Sequence, residues 1–207
     1  MSQTPEETRY DEYQNFAFHP HNIYLMLLLF SLTVLFLALS AAFVYTRVQN
    51  GLPPVKLPWL FAFNTVILIG SSWAMLQAKK AYLADLTERY QGMLILTIVL
   101  SLIFMAAQGL AWYQLFDQQI FLSSDPSAGY LYVISALHFA HVIGGLPFLG
   151  LFLWRAYKYM KEPVSVLVYF SDPEKRLRLR LLTIYWHFLD ILWIYLVIFF
   201  YVNYLIQ

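Results

Sequence analysis

The chain carries Tyr185-Trp186-His187-Phe188-Leu189-Asp190-Ile191-Leu192-Trp193 inside a long apolar run near its end. A second apolar run holds Ala136-Leu137-His138-Phe139-Ala140-His141. Imidazole binds metals and moves protons near neutral pH, and a carboxylate accepts protons or ligates hard cations. His138 and His141 are three residues apart, as are His187 and Asp190, so each pair shares one face of a helix. Asp190 is the single acidic residue that falls within an apolar run. Ionisable groups at that depth are costly and usually face another helix, water or a bound polar group.

Three chemistries are open to these four residues. A metal site would use the imidazoles, but di-iron bundles add several glutamates, and no second carboxylate stands in a span. A proton relay would use histidine and aspartate, but no ladder of acids reaches either surface. The third is a structural or phospholipid-binding network, and it is the preferred reading. Lys175, Arg176, Arg178 and Arg180 precede the last run, and inner-leaflet lipids are often anionic. Arg180, Trp186 and His187 lie within two turns of one another and approach the hydrocarbon. Counted from the basic side, His141 and Asp190 differ in depth by about 6 Å, so a contact between their helices is possible. No residue is assigned a catalytic or metal-ligating role.

The elements that must position these groups are membrane helices. Of 207 residues, 60% are hydrophobic and 12% charged, a balance that soluble domains seldom reach. Five uncharged or nearly uncharged runs are long enough to cross about 30 Å of hydrocarbon: Ile23–Tyr45, Pro58–Gln77, Gly92–Phe116, Gly129–Trp154 and Leu181–Tyr204. The expected fold is all-α and polytopic, a five-helix bundle over 23–207 behind a polar segment over 1–22. That segment lacks the basic start and early apolar run of a cleavable signal.

Eleven of the thirteen basic residues fall in the N-terminal segment and the second and fourth loops. Positive loops stay cytoplasmic, which puts the N-terminus inside and the C-terminus outside. A charged turn is expected from Lys79 to Tyr90, and a basic loop from Arg155 to Arg180 containing Pro163 and Pro173. Asp125 or Ser127 is expected to cap the fourth helix. Small and weakly polar residues, among them Asn64, Ser71, Ser72, Gly144 and Gly145, are assigned to helix packing by default. Tyr10, Tyr13, Tyr45, Trp59, Tyr113, Tyr130, Tyr157, Tyr201 and Tyr204 fit an interfacial belt. Near-neutral charge gives no sign of a nucleic-acid partner, and the lack of cysteine excludes thiolate sites and disulfides.

The segment His138-Phe139-Ala140-His141-Val142-Ile143-Gly144-Gly145 resembles the His-Gly-x-His-Val-x-x-Gly stretch of subunit III of haem-copper cytochrome c oxidases. Tyr185-Trp186-His187-Phe188-Leu189-Asp190-Ile191-Leu192-Trp193 is similar to that family's Tyr-Trp-His-Phe-x-Asp-x-x-Trp signature. Leu57-Pro58, Asn64-Thr65, Ser71-Ser72, Ala78 and Gln108 extend the likeness from about Ile23 onward. The resemblance implies the five-helix bacterial form, a multi-pass subunit of the inner membrane. It implies a subunit without cofactor or redox centre in a proton-translocating oxidase, with haems and copper in subunits I and II. It further implies packing on subunit I, bound phospholipid and a role in sustaining proton uptake and turnover, with a respiratory supercomplex as a wider assembly. Quinol oxidases and nitric oxide reductases have related subunits, and a free-standing lipid-binding or transport protein is a further alternative. Two positions depart from the pattern: Leu32 and Ala111 stand where the family commonly has buried acids.

Overall fold

The computed structural model describes residues 20–206 except 53, 54, 56, 124 and 161. The polar segment up to residue 19, with Tyr10 and Tyr13, and Pro53, Pro54, Lys56 and Ser124 lie outside the described residues. The described chain is helical: α1 (Pro20–Asn50), α2 (Leu60–Leu83), α3 (Thr87–Asp117), α4 (Pro126–Tyr159), α5 (Pro163–Ser171) and α6 (Pro173–Leu205). All but α5 are long and apolar enough to cross a membrane. Two compact units divide the chain, Met1–Leu37 and Ala38–Gln207. The first holds the N-terminal part of α1, and the second the remainder of α1 with α2 to α6.

The helices outrun the apolar windows, because a helix need not stop where the hydrocarbon stops. The turn expected from Lys79 to Tyr90 shrinks to Ala84–Leu86: α2 runs on through Lys79 and Lys80 to Leu83, and α3 starts at Thr87. Asp85 takes a φ of 56° there, the left-handed region that a short polar side chain enters at modest cost. The basic stretch from Arg155 to Arg180 is likewise no open loop, since it ends α4, forms α5 and begins α6. Its prolines start helices rather than break them. Pro173 stands at the first helical position, where the missing N–H would have been unpaired anyway. Asp172 caps that helix by accepting from the amides of Glu174 and Lys175. Asp125 does the same for α4, accepting from Ala128 at 2.8 Å. Pro147 lies inside α4, where its ring removes the bond to the Ile143 carbonyl. Such breaks persist in membrane helices when neighbours restore the packing.

Within the second unit, α2, α3, α4 and α6 close a ring in which each helix packs on two others. The α2–α3 pair is the most extensive contact, as a three-residue connection between antiparallel neighbours requires. Phe43 of α1 packs edge-on against Tyr130 of α4 and Phe199 and Phe200 of α6. Arg47 reaches the last turn of α6, donating through Nη1 to the Asn203 carbonyl and through Nη2 to the Ile206 carbonyl at 2.6 Å. Those carbonyls have no helical partner of their own, so this cation acts as a helix cap. Tyr45, Trp59, Tyr113, Tyr157 and Tyr201 are exposed near helix ends, whereas Tyr130 is partly covered by the Phe43 contact.

Candidate functional site

One side chain from each helix of the ring meets at its centre: Phe61 of α2, Phe104 of α3, His138 of α4 and Trp193 of α6. Phe61 stacks on Trp193 at 5.6 Å, and Phe104 stands edge-on to both His138 and Trp193. The His138 ring lies 4.9 Å from the Trp193 ring. His138 is fully buried, and its Nε2 is 3.1 Å from the Leu189 carbonyl. A carbonyl only accepts, so Nε2 carries the proton. Imidazole from α4 thus braces the α6 backbone next to Asp190 and does not touch the carboxyl. One turn away on α2 and α3, Asn64 Nδ2 donates to Gln108 Oε1 at 2.8 Å, both side chains fully buried.

The carboxyl of Asp190 turns to α2 instead. Asp190 is 4% exposed, and the Ser72 hydroxyl stands beside its carboxyl. The same hydroxyl lies 2.6 Å from His187 Nδ1. One hydroxyl on α2 therefore stands beside both polar residues of the α6 signature. Next to it, Trp186 Nε1 donates to Ser71 Oγ at 3.0 Å. The second carboxyl oxygen of Asp190 and Nε2 of His187 are buried without a hydrogen-bond partner among the described residues.

These contacts bear on several expectations. Ser71, Ser72 and Asn64 were assigned to packing by default, yet each binds a side chain on another helix; Thr65, by contrast, does bond back to Phe61. The helices of His141 and Asp190 do meet, and His141 Nδ1 lies 2.6 Å from the Leu137 carbonyl of its own helix. The His141 carbonyl accepts from Tyr185 Oη at 2.9 Å, which ties α4 to α6 through backbone rather than imidazole. Gly144 is exposed and a Cβ there would meet nothing within 4 Å. Gly145 is the packing glycine, since a Cβ there would stand 2.7 Å from the Trp186 ring.

Arg180 is half-buried on α6, two turns before His187. Lys79, two turns beyond Ser72 on α2, acts electrostatically on His187. The sequence reading placed Lys79 in a turn and missed this. Its signal was the spacing of seven residues from Ser72, matching that of Arg180 from His187. Ala111, at one of the positions departing from the resemblance, is fully buried in α3. Among the described residues no three histidine or acidic side chains converge as a metal-ligand set.

The family model described as cytochrome c oxidase subunit III matches residues 5–204. A cytochrome c oxidase subunit 3 of Synechocystis sp. is 29% identical over 180 residues, covering 84% of this chain and 71% of the relative. One from Neurospora crassa is 29% identical over 189 residues, covering 86% and 65%. One from Arabidopsis thaliana is 31% identical over 141 residues, covering 67% and 48%. The chain thus spans between about half and seven-tenths of the length of these relatives.

Proposed function

Because the chain belongs to the cytochrome c oxidase subunit III family, we propose that it serves as subunit III of a haem-copper terminal oxidase and carries no redox centre itself. In this reading the haems and copper reside in subunits I and II. This chain packs on subunit I, holds phospholipid and sustains proton uptake during turnover. Its place is a bacterial inner membrane with the N-terminus cytoplasmic, a reading supported by the basic residues gathered in the N-terminal segment and the second and fourth loops.

The observation that carries the proposal is the Ser72 link between His187 and Asp190. It sets the one buried acid among the described residues beside a polar group on another helix. Beside it, Lys79 brings positive charge towards His187, whose Nε2 is without a partner among the described residues, a setting that suits an anionic phospholipid headgroup.

Purification through a tag on this chain tests the assignment. Haem-containing partner subunits should accompany it, and recovery as a solitary chain in mild detergent would refute the role. In the purified complex, Asp190→Asn and His187→Ala should lower retained phospholipid and shorten sustained turnover. Unchanged lipid content and turnover would remove the lipid part alone.

A further inference from the structure

Helix α5 carries no charge over Pro163–Ser171, yet it sits in the most basic part of the chain: residues 155–180 hold seven basic and three acidic side chains. Its two faces are both apolar. The inner face buries Tyr169 and Phe170. Tyr82 of α2 donates to the Tyr169 carbonyl at 3.0 Å and packs edge-on against Phe170 at 5.0 Å. From α6, the Lys175 ammonium lies 4.5 Å above the Tyr169 ring. The outer face presents Leu167 and Val168, 66% and 61% exposed, where water would make both unfavourable.

The level of this helix is fixed by Tyr82. With 24 residues, α2 is about 36 Å long, against about 30 Å of hydrocarbon and about 40–45 Å with headgroups. The end of α2 therefore lies in the headgroup layer, and the contacts of Tyr82 hold α5 at that depth. Leu83 and Leu86, exposed at the α2–α3 turn, belong to the same layer. Lys158 and Arg176 flank α5 as exposed cations. From this combination we infer that α5 is an interfacial membrane helix, with Leu167 and Val168 among acyl chains and the flanking cations on anionic phospholipid headgroups.

A protein partner fits the outer face less well. Protein interfaces draw their binding energy mainly from Trp, Tyr and Arg, and α5 turns both of its aromatic residues inward. Short apolar helices bordered by Lys and Arg bind anionic lipid surfaces by burial together with attraction of charge. This surface is separate from the His187 site and does not depend on the oxidase assignment.

The chain has no cysteine, so Leu167→Cys introduces one thiol, and Val168→Cys serves as a second position on the same face. Each variant is spin-labelled in the purified complex, reconstituted in nanodiscs of neutral or mixed neutral and anionic phospholipid. The unsubstituted complex supplies the background from partner thiols. The expected label is open to oxygen and protected from an aqueous nickel chelate, and deeper in anionic discs than in neutral ones. Free access of the chelate in both lipids would place α5 in water and overturn the inference. Shielding from both reagents would show a protein cover and overturn it equally.

Discussion

The Trp186 ring of α6 lies 2.7 Å from the point where a Cβ on Gly145 of α4 would stand. No real side chain tolerates that approach, so α4 and α6 meet at a spacing that only glycine permits. Tyr185, 3.1 Å from the same point, blocks a sideways escape. The contact also sets the indole so that its N–H reaches Ser71 of α2. Three helices are thus registered around one missing methyl group.

Gly145→Ala should therefore push α4 and α6 apart and destabilise the protein by about 1–3 kcal/mol, the usual range for overpacking. Gly144→Ala, with open space around it, should stay within about 0.5 kcal/mol of the parent. Thermal unfolding of the purified complex separates the two. Equal midpoints for both variants would contradict the packing.

Ser72→Ala removes the hydroxyl shared by His187 and Asp190. The expected cost is about 1–3 kcal/mol, because His187 Nδ1 loses its partner and the buried Asp190 loses the polar group beside it. Ser72→Thr keeps a hydroxyl and should recover part of that loss. A midpoint unchanged by Ser72→Ala would show that the bridge contributes nothing.

Asn64 and Gln108 offer a test of paired burial. Asn64→Leu leaves Gln108 Oε1 without its donor and should cost about 1–3 kcal/mol. Adding Gln108→Leu removes the abandoned partner as well, so the double variant should be more stable than Asn64→Leu alone. Simple additivity of the two single losses would argue that the pair is not coupled.

Asp172 gives a pH signature outside the membrane spans. Its side-chain hydrogen bond with Lys175, 3.0 Å away, and the amides it caps hold its carboxyl below the ordinary 3.8. A depressed acid stabilises fully above its unfolded pKa, and that contribution disappears as pH falls through the lower folded value. Asp172→Ala should cost about 1 kcal/mol at neutral pH through loss of the cap. Asp172→Asn keeps a capping oxygen but should flatten this acid step in a plot of unfolding midpoint against pH below about 4.

The sequence by itself determined the five membrane-spanning helices and marked Asp190 as the group needing an explanation. Both follow from one solvent argument: hydrocarbon sets the length of an apolar run and penalises a bare carboxylate wherever it stands. The cap of α4 was legible as Asp125 or Ser127, since capping is local and involves residues about three apart, and the structure chose Asp125. The family signature around His187 was legible too, as a pattern of residue types. The partners of those residues were not. Ser72 and His187 are 115 positions apart, and the pattern of types is silent on which faces of α2 and α6 meet. Serine in a span bonds its own helix or a neighbour equally well, and only the tertiary packing chose the neighbour. The stretch from Arg155 to Arg180 read as a loop because charge and proline end an apolar window. Charge does not end a helix, however, and proline at its first turn starts one. Tertiary structure also chose between Gly144 and Gly145, adjacent and identical in type, because only one of them points at the Trp186 ring.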